Sequence, residues 1–329
     1  MTTKPSNSRR YAAAVTPYLE SLIADEPAIA RQFVPSDAEE IPAWGESDDP
    51  IGDSAHSPVK GIVHRYPDRV LLIPHHACAA YCRFCFRRAR VGRPDGALSP
   101  PELAAALAYV HATPAVREVI LSGGDPLMLS ARRLASLIAA LDAIPHVEVI
   151  RLHTRIPVVD PDRMTRSLIA ALRTSESAVY LVLHCNHPAE LTDRTRAACR
   201  AVVLAGIPML AQTVLLKGVN DDPSVLAALM RALVRNRIKP YYLHHCDMAP
   251  GTGHFRTTLA EGRALVRALR GEVSGLCQPT YVLDIPGGHG KIPVGPDHLL
   301  DGGATVEDPR GNRHAYPPCI RLLRSNSSI

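Results

Sequence analysis

The chain has 329 residues, 46 % of them hydrophobic, enough for one large domain or two modest ones around an extended core. Its formal charge of +5 comes from 37 Lys and Arg against 32 Asp and Glu, yet no basic block alternates with aromatics, which make up only 5 %, so no nucleic-acid partner is expected. No apolar run is long enough to span a bilayer, and the opening MTTKPSNSRRYAAAV lacks the apolar segment and cleavage site of a secretory signal; a cytoplasmic protein with no membrane partner is expected.

In chain order, a helix-like stretch, YAAAVTPYLESLIA (11–24), leads into a loop rich in Pro, Gly, Asp and Ser, IPAWGESDDPIGDSAHSPVKG (41–61), and residues 1–60 are expected to wrap the rest as an extension. From Arg69 short β-rich runs alternate with Ala-, Leu- and Arg-rich stretches of helical period. The expected strands are VLLIPH (70–75), EVILSG (118–123), EVIRLHT (148–154), VYLVLHC (179–185), PMLAQTVLL (208–216) and KPYYLHHC (239–246). Helices are expected in PELAAALAYVHA, SARRLASLIAALDA, DPDRMTRSLIAALRT, ELTDRTRAACRAVVLAG, DPSVLAALMRALVRN and TLAEGRALVRALRG. Six β-α units in strict order predict parallel strands, apolar on both sides beneath covering helices, in a full or partial barrel or a doubly wound sheet. The polar residues favour the barrel: SGGDP (122–126), HTR (153–155), HCNHP (184–188), LLKGVND (215–221) and HHCDM (244–248) sit at carboxyl ends of strands, where barrels place their chemistry. A seventh run, PTYVLDIPGGHGK (279–291), adds an acid and a Gly-flanked lysine. The expected fold class is α/β: a partial (β/α)6 TIM-like barrel over residues 61–295, a helical N-terminal extension, and a short tail, 296–329.

Three of the eight cysteines fall within CAAYCRFCFRR (78–88), on the loop after the first strand of the repeat. In a reducing compartment such a cluster indicates metal or redox chemistry rather than disulfides. Cys78, Cys82 and Cys85 can hold three corners of a [4Fe–4S] cube and leave the fourth iron open to a chelating small molecule. The alternative is zinc with His75 or His76 as fourth ligand; it lacks the second, distant C-x2-C pair that zinc sites usually have. A lysine in a Gly-rich loop is a candidate for a pyridoxal phosphate Schiff base. Of the five lysines, Lys4 lies at the N-terminal end, Lys60 in the N-terminal loop and Lys239 at the start of a strand, which leaves Lys217 and Lys291.

C-x3-C-x2-C in this position resembles the radical S-adenosylmethionine enzymes, in which the open iron binds S-adenosylmethionine and its reductive cleavage yields a 5′-deoxyadenosyl radical; Ser122, Gly123 and Gly124 of SGGD resemble the glycine motif beside that cofactor. HRYPDRV (64–70), CRFCFRR, SGGDPL, RIPVVDP, HCNHP, QTVLLKGVND, KPYYLHHCDMAPGTGHFRT and DIPGGHGKIPV, in that order, resemble the lysine 2,3-aminomutase family across residues 50–295. The resemblance implies a pyridoxal phosphate lysine at Lys291, and Arg65, Tyr66 and Arg69 beside pyridoxal phosphate. It also implies a substrate-carboxylate arginine at Arg87, and contacts to S-adenosylmethionine from His184 and Gln212. Asp247 and Asp284 match the pair that binds the lysine ε-ammonium, an acidic clamp suited to a cationic substrate. The implied reaction moves the α-amino group of lysine to the β-carbon, after radical abstraction of a β-hydrogen, to give β-lysine, with an electron donor such as flavodoxin or ferredoxin.

Two departures from the longer family members stand out: Asp222 rather than cysteine follows GVND, and the tail holds only Cys319. The inter-subunit zinc of those members is therefore not expected, and a homo-oligomer, if formed, should have a weaker or different contact. The length is near that of the elongation factor P (R)-β-lysylation type of lysine aminomutase. That role, an arginine 2,3-aminomutase and a non-catalytic iron–sulfur protein are the alternatives.

Overall fold

The computed structural model describes residues 11–92, 96–173 and 176–317, which places Lys4 and Cys319 outside the described residues. The N-terminal extension contributes α1 (Pro17–Asp25) and α2 (Pro27–Phe33), each with proline in its first turn; the expected 11–24 helix starts only at Pro17, where the Thr16 side chain caps the Leu19 amide. Nine strands then form one sheet in sequence order: β1 (Ile62–Tyr66), β2 (Arg69–Leu72), β3 (Glu118–Leu121), β4 (Val149–Thr154), β5 (Ala178–His184), β6 (Met209–Val214), β7 (Ile238–His244), β8 (Thr280–Ile285) and β9 (Gly290–Pro293). β2 to β8 run parallel, and β1 and β9 are antiparallel hairpin partners at the two edges. This is a partial barrel, with six β-α units as expected.

The crossover helices include α3 (Pro100–His111), α4 (Ala131–Asp142), α7 (Asp193–Leu204), α8 (Pro223–Arg235) and α9 (Leu259–Glu272), capped by Ser99, Ser130, Thr192, Asp222 and Thr258. Their buried faces repeat at helical spacing: Leu134, Leu137, Ile138 and Leu141 on α4, and Leu226, Leu229, Met230 and Leu233 on α8. Asp222, where longer relatives were expected to carry a cysteine, accepts the Ser224 and Val225 amides at the start of α8.

Two expectations are corrected. DPDRMTRSLIAALRT is not one helix: after α5 (Ile156–Val159), Pro161 opens a 3-10 turn (Pro161–Arg163), and α6 (Arg166–Ala170) starts only where Thr165 caps it anew. The strands are also not apolar on both sides. On β4, Ile150 and Leu152 are fully buried in the core, while Arg151 and His153 line the barrel cavity; β6, β7 and β8 likewise turn Gln212, His244 and Asp284 inward. The stretch expected as a tail carries, among its described residues, a three-stranded antiparallel sheet of β10 (Leu299–Leu300), β11 (Thr305–Glu307) and β12 (Arg313–Ala315).

Candidate active site

One cavity of about 640 Å³ runs through the barrel, from Arg69, Glu118 and Thr280 at the amino ends of strands to the cysteine loop at the carboxyl ends. It gathers every site residue read from the sequence: Arg65, Tyr66, Arg69, Cys78, Cys82, Cys85, Arg87, Ser122, Gly123, Gly124, His184, Gln212, Asp247, Asp284 and Lys291.

The three thiols lie on one loop and interact electrostatically; burial pushes Cys85 up to about 11, helped by Cys82, and burial with Asp125 nearby raises Cys78 further. As free thiols Cys78 and Cys85 resist ionisation there, and an outside cation would favour their thiolate forms. A soft metal group suits that donor set. Arg155 adds a fixed charge, its Nη1 2.9 Å from Cys82 Sγ and its Nη2 bonded to Gln32 (2.6 Å) and Glu190 (2.9 Å). The glycines of SGGD are explained by the cysteine loop itself. The Gly124 amide donates to His75 O (2.9 Å) and the Asp125 amide to Ala77 O (2.9 Å), and a Cβ at Gly124 would stand 2.6 Å from the His76 carbonyl carbon. Gly123 has φ +97°, and its Cβ would strike the Ile73 side chain. Across the cavity His184 and Gln212 are register partners on β5 and β6, and His184 Nε2 is buried without a protein hydrogen-bond partner, an orphan that a ligand would satisfy.

Lys291 lies on β9, where its Nζ bonds Asp284 and stands 3.3 Å from His244 Nδ1, and its amide donates to Tyr66 OH (2.7 Å). Burial alone would raise Asp284, but His244 and Lys291 hold it down at about 2; Asp247 goes the other way, to about 7, through burial and the nearby Asp284 charge. Lys239 instead caps carbonyls of Leu276 and Gln278, and Lys217 is exposed, so of the described lysines Lys291 alone lines the cavity.

The arginines of the cysteine loop divide their work. Arg83 and Arg88 both pair with Glu39 of the extension, and Arg88 also donates to Gly251 O (3.0 Å), so Arg88 anchors structure rather than facing the cavity. Arg87 faces the cavity and pairs with Asp53 (2.5 Å), which also holds Arg65 (3.1 Å). Sequence reasoning missed Asp53, which sits in the Pro/Gly/Asp/Ser loop without a motif. It also left unassigned Arg155 and His244, whose only signal is their place in HTR and HHCDM at strand ends, and the Arg151–Glu118 pair at the cavity base (2.9 Å).

A thiol triad on the first loop of an opened β/α barrel, above a cavity that holds Lys291 with Asp247 and Asp284, defines a radical S-adenosylmethionine enzyme, and residues 72–229 match the Radical SAM superfamily model. Residues 266–306 match the Lysine-2,3-aminomutase model. The L-lysine 2,3-aminomutase of Acetoanaerobium sticklandii is 45 % identical over 290 residues, 87 % of this chain and 70 % of the relative; that of Clostridium subterminale is 43 % identical over the same shares. The glutamate 2,3-aminomutase of Clostridioides difficile is 36 % identical over 88 % of this chain and 69 % of its own length. The chain belongs to the lysine 2,3-aminomutase family, and it is an isomerase of the aminomutase type. Among the described residues no helix is long and apolar enough to cross a membrane.

Proposed function

We propose that the protein is an L-lysine 2,3-aminomutase that moves the α-amino group to the β-carbon and yields β-lysine, using a [4Fe–4S] cluster, S-adenosylmethionine and pyridoxal 5′-phosphate. The observation that carries the choice of lysine is the half-buried pair Asp247 and Asp284 in a cavity that also holds Arg87. Once the Lys291 nitrogen is committed to a cofactor, Asp284 loses its cation beside a second carboxylate, and an ammonium-bearing side chain supplies a replacement cation for the pair. A glutamate side chain would add a third negative charge there.

In this reading Cys78, Cys82 and Cys85 would hold the cluster, and Arg155 would steady its sulfur ligands. Ser122, Gly123, Gly124, His184 and Gln212 would hold S-adenosylmethionine. Lys291 would bind pyridoxal phosphate, with Arg65, Tyr66 and Arg69 beside it. Cluster and S-adenosylmethionine supply a hydrogen-abstracting radical, and pyridoxal phosphate supplies the conjugation that lets nitrogen migrate. The chain's part is to orient and to exclude water: Arg87 grips the substrate carboxylate, Asp247 and Asp284 fix the far ammonium, and His244 is within reach of the proton on Lys291 Nζ. The seven described cysteines are all unpaired, which suits a reducing compartment such as the cytoplasm, where flavodoxin or ferredoxin could supply the electron.

The test is anaerobic incubation of reconstituted protein with S-adenosylmethionine, pyridoxal phosphate, reductant and, separately, lysine, arginine or glutamate. β-Lysine is expected; β-arginine alone would correct the substrate, and no β-amino acid from any of the three would refute the reading. The configuration of the β-lysine separates free-lysine metabolism from supply of an elongation factor P modification.

A further inference from the structure

The N-terminal extension brings a carboxylate to the two arginines of the cavity. Asp53, 3 % exposed, sets Oδ2 2.5 Å from Nη2 of Arg87 and Oδ1 3.1 Å from Nη2 of Arg65; both arginines line the cavity, with Asp53 buried behind them. The loop that carries it is fixed from both sides. The Asp49 carboxylate accepts the amides of Asp53 and Ser54, each at 2.8 Å, and Ser57 Oγ donates to Asp53 O at 2.8 Å. Gly52 lies so close to the loop preceding Lys291 that a Cβ would stand 2.5 Å from the Gly288 nitrogen, and His56 Nε2 is 3.1 Å from Gly288 O.

Two guanidinium groups share one carboxylate, and Nε of each is buried without a protein hydrogen-bond partner. Within this group of three, one positive charge is in excess and two donors are unmet beside the cavity, a state that a buried site tolerates when an anion is its ligand. A guanidinium held on one edge by a carboxylate is also pre-oriented on the others.

We propose that Asp53 is a positioning residue for substrate recognition: the shared counter-ion that fixes Arg87 for the substrate carboxylate and Arg65 beside it, so that the N-terminal extension completes the active site. The inference rests on the reading of Arg87 as the residue that binds that carboxylate.

Lysine affinity, measured by calorimetry on cluster- and pyridoxal-phosphate-loaded protein with S-adenosylmethionine and no reductant, tests it in wild type, Asp53→Asn, Arg87→Gln and the double variant. Each single variant should bind lysine about tenfold more weakly, and the double variant no more weakly than Arg87→Gln alone, because Asp53 acts through Arg87. Under turnover Asp53→Asn should raise KM about tenfold and change kcat less than about threefold. Additive losses, or full affinity in Asp53→Asn beside a loss in Arg87→Gln, overturn the role of Asp53 and leave that of Arg87 standing; full affinity in Arg87→Gln overturns both. If Asp53→Asn does not fold, Asp53→Glu takes its place: it should weaken lysine binding in the wild-type background and not in Arg87→Gln, and an equal loss in both overturns the proposal.

Discussion

Asp247 and Asp284 are chemically identical side chains with opposite ionisation behaviour. Asp284 has Lys291 and His244 beside it and stays ionised; Asp247 is buried near that charge and sits at about 7. A lysine ammonium arriving between them favours the ionised form of Asp247. Below that value binding should therefore expel a proton: at about pH 6 calorimetry in buffers of different ionisation enthalpy should detect release approaching one proton, at about pH 8 almost none, and Asp247→Asn should abolish the difference. The lysine KM should fall as pH rises across that range. Lys291→Ala should remove the visible absorbance of bound pyridoxal phosphate and leave iron content unchanged, a separation checked by spectroscopy and iron analysis on one sample. The motif CRFCFRR shows what was legible at this scale. Its cysteines and Arg87 were placed where they lie, but Arg88 could not be assigned, because its partner Glu39 is 49 residues away in a loop with no periodic pattern.

At the scale of elements, the extension is bound through buried charge. Glu39, 6 % exposed, takes both Arg83 and Arg88; burial would raise its carboxyl, but the two guanidinium groups hold it below its ordinary value. Glu39→Gln should cost about 3 kcal/mol by denaturant unfolding at neutral pH, since two buried arginines lose their counter-ion. A lowered carboxyl stabilises above its unfolded value and loses that contribution as pH falls, so the gap between variant and wild type should close on acidification. Gly124→Ala should push the cysteine loop off the end of β3 and lower iron per chain, while far-UV circular dichroism stays native. The strands and most helices could be read because their periods and caps are local; the stretch at 160–170 could not, since Pro161 and the new cap at Thr165 break a pattern that composition alone makes helical. The inward polar faces of β4 and β7 were hidden for another reason: a barrel interior that holds ligands inverts the usual apolar rule for parallel strands.

For the whole molecule, the open barrel is held together by its own site. β1 and β9 are the two edges of the sheet, and the Lys291 amide on β9 donates to Tyr66 OH on β1, with Gly290 close against the same ring. The residue that would carry pyridoxal phosphate thus also ties one edge to the other, and the N-terminal loop lies against both through Asp53 and Gly52. Radical chemistry needs such enclosure, because a primary carbon radical reacts with whatever reaches it. All of this serves one event, the passage of an amino group between neighbouring carbons. It is followed most directly with L-lysine labelled with 15N at the α-amino group, incubated anaerobically with the reduced holoenzyme and S-adenosylmethionine and read by NMR. The account predicts 15N bonded to C3 of β-lysine; label that stays on C2, or a 3-amino product without label, would contradict it.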